Sequence, residues 1–323
     1  MYDLIETVKK SAEFQKLKRD KDSGRLYHGY IVESNDTRYV DAFTEAFTML
    51  LMCGKDGCGE CDTCRKIKSG VHMDVFRFPC GGRKIISAQS DIAVFNDGYA
   101  FSPLEGGARV FVFDSVNSVR DDWQNKMLKS LEEPREGNFI IIRTDGAEKL
   151  LPTVRSRCAF LKLPSPSAVV TADFLISEGC DDEEAEEAAW LFDGNLTLSE
   201  AFCRNGGKKA TDGLFEMLKN CNSSRDCVRY VPEIVSYRDD SFLLFSGLSA
   251  IFRRLAECHC GLEVPFRKDD FAVIGKAYSL KAAGEISKLF IKEKKRVGQG
   301  VSFQAIADDL LLGMMEVKYR CRQ

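Results

Sequence analysis

The chain has 323 residues, of which 44% are hydrophobic and 29% charged, and its formal net charge is −3. That length is more than one compact domain needs and predicts two or three. The mild acidity argues against a basic nucleic-acid binder, and no run of about 18 apolar residues is present to span a membrane.

Met1-Tyr2-Asp3-Leu4-Ile5-Glu6 has neither a basic nor a long apolar region, so no secretory signal is expected and the chain reads as cytoplasmic. In a reducing compartment, thirteen cysteines predict free thiols rather than structural disulfides.

Tyr30-Ile31-Val32 predicts a short buried strand, and Val40, Phe43, Phe47, Leu50 and Leu51 repeat at helical spacing after it. A Cys-rich loop follows. Asp74 to Phe78 alternates like a strand, and Ser87 to Phe95 predicts a helix with Ile92, Val94 and Phe95 as its apolar side. Val110 to Phe113 is a continuous apolar strand. Val119, Trp123, Met127, Leu128 and Leu131 form a helical stripe that Pro134 stops. Phe139–Ile142 and Phe160–Leu163 predict two more strands. Strands alternating with helices predict an α/β domain, a parallel sheet with helices on both faces.

Pro164-Ser165-Pro166-Ser167 predicts a boundary, and strand signals fade beyond it. The acidic run Asp181 to Glu187 suits a helix N-terminus. Ser241 to Leu255 and Phe303 to Met314 predict apolar-striped helices. The expected division is an α/β domain at 1–165, a small helical domain at 166–210 and a second helical domain at 211–323.

Cys53-x4-Cys58-x2-Cys61-x2-Cys64 places four thiols on a loop in which Gly54, Gly57 and Gly59 are expected to turn the backbone. Tetrahedral Zn²⁺ takes four thiolates, and a shell with no open position is structural. An iron–sulfur cluster or four unliganded thiols are the alternatives. His72 and Cys80 lie near enough in sequence to be spare ligands but read as ordinary residues. The remaining cysteines read as small buried hydrophobes.

A phosphate loop needs Gly-x4-Gly-Lys-Ser/Thr, so that backbone amides wrap the phosphates, Lys meets their charge and the hydroxyl holds Mg²⁺. The corresponding stretch, Glu33-Ser34-Asn35-Asp36-Thr37-Arg38-Tyr39-Val40-Asp41, has neither glycine nor lysine. Glu33, Asp36 and Asp41 would repel a triphosphate. Arg38 reads as a solvated loop residue. Asp114 ends a strand where a Mg²⁺-holding acid would sit, and Ser115 follows where a catalytic Glu would be. No bound ATP is expected.

His28-Gly29-Tyr30-Ile31-Val32, the four-Cys insert, Leu131-Glu132-Glu133-Pro134 and Thr153-Val154-Arg155-Ser156-Arg157-Cys158 occur in this order. The set resembles the delta-prime family of the bacterial DNA polymerase III clamp loader, whose close relative is gamma/tau. The similarity runs from about Tyr27 to Leu163 and is faint beyond. It implies an AAA+ module followed by a helical lid and an all-α collar, in a ring that loads the sliding clamp onto primed DNA. It also implies gamma/tau and delta partners, with a degenerate phosphate loop in delta-prime. Gly194-Asn195-Leu196-Thr197-Leu198 lacks the Arg that an ATPase lid presents. Arg157, with Ser156 and Cys158 as its motif, would act in trans as an arginine finger on the ATP of a neighbouring gamma/tau subunit. Arg155 is given no role.

Glu132 and Glu133 are adjacent on a helix, so they do not share a face and make a poor acid–base pair. Lys292-Glu293-Lys294-Lys295-Arg296 reads as a solvated helix end rather than a DNA contact. Two other functions fit parts of the pattern. An active gamma/tau-like ATPase would bind ATP analogue as an isolated chain. A zinc-containing nucleic-acid adaptor would bind DNA in a salt-sensitive way.

Overall fold

Side-chain alternation along five parallel strands decides how the sheet is covered. They are β1 (Gly29–Glu33), β2 (Val75–Phe78), β3 (Arg109–Phe113), β4 (Asn138–Thr144) and β5 (Ala159–Lys162), in the order β2-β3-β4-β1-β5. The computed structural model describes residues 3–79, 90–105, 107–114 and 121–321. Ile31, Phe111, Phe113, Ile140 and Ile142 point to one face. There they meet Phe95 of α5 (Ser90–Ala100) and Trp123, Met127 and Leu131 of α6 (Asp121–Glu132). Phe113 and Trp123 pack edge to face, ring centroids 4.7 Å apart, and Phe78 stacks on Phe113 at 4.8 Å. Each such pair adds roughly 0.5–1.5 kcal/mol beyond its buried area.

The intervening residues Tyr30, Val32, Val110, Val112 and Ile141 are also buried and face the other side. α3 (Thr37–Met52) covers that face, with the Phe47 ring 4.9 Å from Tyr30. Two N-terminal helices, α1 (Leu4–Lys10) and α2 (Ala12–Asp22), bury Val8, Phe14 and Leu17, and Phe14 meets Phe43 of α3 edge to face. The expected parallel sheet with helices on both faces is therefore present. Both N-terminal helices went unforeseen; their starts are marked only by Asp3 and Ser11, whose side chains accept from Ile5 N and Phe14 N.

Each expected strand is present. The helix expected from Ser87 is described from Ser90. Its Ile92 and Phe95 are buried, but Val94 is exposed and belongs to no core stripe. Ser87, Cys80, Ser115 and Val119 lie outside the described residues. α4 (Asp62–Lys68), a 3-10 turn at Ala147–Lys149 and the single turn α7 (Pro152–Arg155) also lie in this part.

The chain divides into two compact units, Met1–Ser165 and Pro166–Gln323. Among the described residues no strand lies in the second unit. It holds α8 (Ala168–Ser177), α9 (Asp182–Leu191), α10 (Leu196–Arg204), α11 (Gly207–Asn220) and α12 (Ser224–Ser236). After these come α13 (Ser241–His259), α14 (Lys268–Ala277), α15 (Leu280–Val297) and α16 (Phe303–Arg320). Its core includes Leu244, Leu248, Ile251 and Leu255 of α13, Ile286 and Phe290 of α15 and Ile306, Leu310 and Met314 of α16. Among the described residues no helix is long and apolar enough to cross a membrane.

Candidate functional site

The C-terminal edge of a parallel sheet is where ligands of such folds bind, and here acidic side chains and arginines occupy it. Only Ser34, Asn35 and Asp36 separate β1 from α3, too few to wrap a phosphate chain. Asp36 is fully buried and its carboxylate accepts from Tyr39 N at 3.2 Å. The helix N-terminus that would receive a phosphate is thus capped by the chain's own carboxylate. The Glu33 carboxylate accepts from Ala147 N at 2.7 Å. Arg143, at the end of β4, pairs with Asp114 and with Asp41 of α3, each at 2.6 Å. Arg77 approaches Asp114 from β2 at 3.9 Å. A guanidinium therefore stands against the acid that a Mg²⁺ ion would require. Sequence reading singled out Asp114 and Asp41 but missed Arg143, because a polar residue inside an apolar strand gives no local signal of its partners.

At the opposite, N-terminal edge of the sheet, about 13 Å away along β1, the separate sequence motifs converge. A Cβ on Gly29 would stand 2.9 Å from Leu131 Cδ2 and 3.0 Å from Cys158 Sγ, so glycine leaves room for these two side chains to pack against the start of β1. The His28 ring hydrogen-bonds the Leu131 carbonyl at 2.8 Å. Burial pushes the Cys158 thiol up to about 12, as expected for an inert packing residue rather than a nucleophile. Arg157 Nη1 donates to the Thr153 carbonyl at 2.8 Å and to Ser156 Oγ at 3.3 Å, and Nη2 lies 2.7 Å from Glu132 Oε1. The Arg157 side chain is 35% exposed. Leu131 of the Leu-Glu-Glu-Pro segment is buried and α6 ends at Glu132, so the two acids separate, Glu132 going to Arg157.

The cysteine module is built between two helices. Cys53 caps the C-terminus of α3, Cys61 caps the N-terminus of α4 and Cys64 sits in the first turn of α4. The sulfurs of Cys53, Cys58, Cys61 and Cys64 all lie within 4.8 Å of one another, a group that could hold a metal ion. Cys53 Sγ is 3.8 Å from Cys58 Sγ and 3.6 Å from Cys61 Sγ. Four sulfurs around one ion at about 2.3 Å would stand about 3.8 Å apart, so the spacing fits a tetrahedral shell.

Gly57 and Gly59 take left-handed backbone at φ +75° and +81°, as the loop requires. Gly54 does not; Asp56 at φ +53° supplies the third such turn, tolerated by its short polar side chain and held by Lys21 at 2.9 Å. Burial pushes the Cys53 thiol up, but the N–H groups of Cys58, Lys55 and Gly57 and the Cys61 side chain outweigh it and bring it down to about 6. The N–H groups of Glu60 and Cys61 lower Cys58. Cys64, the most enclosed, is pushed up to about 12 by burial. The donor set is thus soft and partly ionised in advance, as a thiolate-binding metal needs.

His72 faces away from this group. Its Nδ1 accepts from Asp74 N at 3.2 Å, and its Nε2 lies 3.8 Å from Glu105. Of the remaining described cysteines, Cys221, Cys227 and Cys321 are buried as expected, Cys158, Cys180, Cys203 and Cys258 are only half-buried, and Cys260 is exposed at the end of α13. In the second unit, Gly194 (φ +73°) abuts the Pro166 carbonyl, and Asn195 caps α10 by accepting from Leu198 N at 2.9 Å. The basic run lies in the last turns of α15. Its Arg296 pairs with buried Glu293 at 2.6 Å and with Asp309 at 2.5 Å, and Lys294 stands 4.9 Å from the Phe242 ring centroid.

Comparison with known proteins bears on the first unit. The profile of the family described as DNA polymerase III, delta subunit, matches residues 9–167. The DNA polymerase III subunit delta' of Yersinia pestis is 29% identical over 170 residues, 51% of this chain and 50% of that one. The delta' subunit of Escherichia coli K12 is 28% identical over 182 residues, 55% of this chain and 54% of that one. Over residues 9–167 the chain belongs to the clamp-loader delta-prime family. The tau subunit of Escherichia coli K12 is also similar, 27% identical over 139 residues, 42% of this chain and 21% of that one. The chain spans about half the length of the delta-prime relatives it matches. The family region contains the capped loop, the cysteine module and Arg157.

Proposed function

We propose that this chain is a subunit of a DNA polymerase III clamp loader that does not hydrolyse ATP itself. It works in a ring beside gamma/tau and delta subunits that loads the sliding clamp onto primed DNA, and Arg157 reaches the nucleotide of a neighbouring gamma/tau subunit. Residues 166–210 would serve as the lid and 211–323 as the collar that joins the ring. The observation that carries the reading is the contrast between the two edges of the sheet. At one, a three-residue loop, the Asp36 cap and the Arg143–Asp114 pair leave no cradle for phosphates or Mg²⁺. At the other, about 13 Å away along β1, the Arg157 guanidinium is partly exposed, which supports a role toward the phosphates of another chain. A positive fork stabilises the charge that develops at phosphoryl transfer.

The four thiols would hold one Zn²⁺, which joins the end of α3 to the start of α4 and stiffens the loop between them. That role is structural, since four protein ligands leave no position for water.

The test of the finger is Arg157→Ala in the reconstituted complex with its gamma/tau and delta partners. Assembly is expected to persist while DNA- and clamp-stimulated ATP turnover falls steeply; fingers in other systems contribute about 10³–10⁵ in rate. Normal turnover by the assembled variant refutes the finger. Binding of an ATP analogue to the isolated chain refutes the non-ATPase reading.

A further inference from the structure

The Glu132 carboxylate and the Arg157 guanidinium form an ion pair whose geometry divides the guanidinium into two parts. Both Nη1 hydrogens are spent on the Thr153 carbonyl and Ser156 Oγ, groups of the same short segment. Those two bonds fix the position of the head group without Glu132. The carboxylate instead takes Nη2, 2.7 Å away. With Nη1 engaged, Nη2 and Nε form the remaining edge through which the guanidinium could hold a phosphate in bidentate contact. Both side chains are partly exposed, Arg157 at 35% and Glu132 at 49%, so the pair can open without burying an unpaired charge.

We infer that Glu132 is a latch on Arg157: its carboxylate occupies the phosphate-facing edge of the finger until the nucleotide of a neighbouring subunit displaces it. The inference rests on the trans-acting role proposed for Arg157. The helix that carries Glu132 is anchored on the other side of the same residue, since the Leu131 side chain is buried and its carbonyl accepts from His28. The carboxylate is therefore held near the finger rather than free to swing away. A carboxylate and a phosphate cannot share that edge without like-charge repulsion, so an approaching triphosphate and Glu132 compete for it. In the unassembled chain the finger is thereby neutralised. In the ring, the latch opposes nucleotide binding at the neighbouring site and sets how tightly ATP must bind to engage the finger.

The test uses the reconstituted complex with Glu132→Gln, Arg157→Ala and both together, measuring KM and kcat for ATP under clamp and primed-DNA stimulation. Gln keeps the shape of the side chain and a hydrogen-bond acceptor but removes the charge. The expected result for E132Q is a KM for ATP about 1.5–5-fold lower, the factor that corresponds to an exposed ion pair, with thermal stability unchanged. In the R157A background the same substitution should leave KM where R157A alone puts it. An unchanged or higher KM in E132Q overturns the latch, as does a shift that persists without Arg157. If R157A alone turns over ATP normally, the finger itself fails and the latch with it. If R157A is impaired while E132Q leaves KM unmoved, only the latch fails.

Discussion

The Arg143 guanidinium stands 2.6 Å from the Asp114 carboxylate and 2.6 Å from that of Asp41, bridging the ends of β3 and β4 to helix α3. The arginine is only 9% exposed as a side chain, and the two acids are 33% and 51% exposed. Removing it leaves both carboxylates without this shared partner, with Arg77, 3.9 Å from Asp114, as a partial offset.

Arg143→Ala is therefore expected to destabilise the chain by about 1.5–3 kcal/mol, the range for hydrogen bonds to charged groups, read as a lower urea midpoint. It should not restore ATP binding. The Asp36 cap and the three-residue loop remain, so titration with a fluorescent ATP analogue should stay flat. A stability loss accompanied by newly acquired nucleotide affinity would mean that Arg143 alone closes the site.

Asp74, just before β2, and Arg109, at the start of β3, make a fully buried ion pair. Their atoms are 2.6 Å apart, with side chains 0% and 3% exposed. The Asp74 carboxylate also accepts from Leu104 N and Glu105 N, and Arg109 donates to the carbonyls of Gly98 and Phe101. Burial raises the Asp74 carboxyl, but the N–H groups of Glu105 and Leu104 and the Arg109 guanidinium outweigh it and hold it below the usual carboxylate range. A depressed folded-state pKa gives stability that is fully present above the unfolded value near 3.9 and is lost as pH falls through the folded value. Asp74→Asn should cost about 3–5 kcal/mol at pH 7, because it leaves Arg109 buried without its counter-charge. The gap between wild type and variant should narrow below about pH 4, where Asp74 of the unfolded chain begins to protonate while that of the folded chain is still ionised. Urea unfolding of both proteins at several pH values checks this. A gap that is constant down to pH 3 would assign the effect to shape rather than charge.

The sheet was legible because its strands read as short apolar runs, as at Val110–Phe113, or by alternation, as at Asp74–Phe78. α3 was legible because Val40, Phe43, Phe47 and Leu50 return at helical spacing. The cysteine module was legible because its four thiols are local, all within twelve residues from the end of α3 to the start of α4. Arg143–Asp114 and Asp74–Arg109 were not, since their partners lie 29 and 35 residues apart and only the strand order brings them together. The same holds for Glu132 and Arg157. Each motif was visible alone, but nothing in the chain marks that the end of α6 and the segment before β5 share one edge of the sheet. Gly29 is the exception that could have been read. A glycine opening an apolar strand often marks close packing over the backbone, which here is by the side chains of Leu131 and Cys158.

The cysteine module makes a metal-dependent prediction. Purified protein should carry one zinc and no iron per chain, and Co²⁺ put in its place should give the visible absorption of a tetrahedral thiolate site. Cys53 and Cys58 are held below the ordinary thiol value by backbone N–H groups, while buried Cys64 must lose its proton on binding. Binding therefore releases protons and should weaken as pH falls. A bound metal at 100 times its Kd stabilises by about 2.7 kcal/mol, which for a unit of this size corresponds to roughly 5–11 °C in Tm. Chelation should lower the Tm of the wild type by that order and leave Cys58→Ser, already lacking the metal, unmoved. The α3–α4 loop should then become the first site of protease cleavage, since the ion no longer ties Cys53 to Cys61 and Cys64. Metal content well below one per chain, or a Tm indifferent to chelation, would leave the four thiols as a packed cluster without an ion.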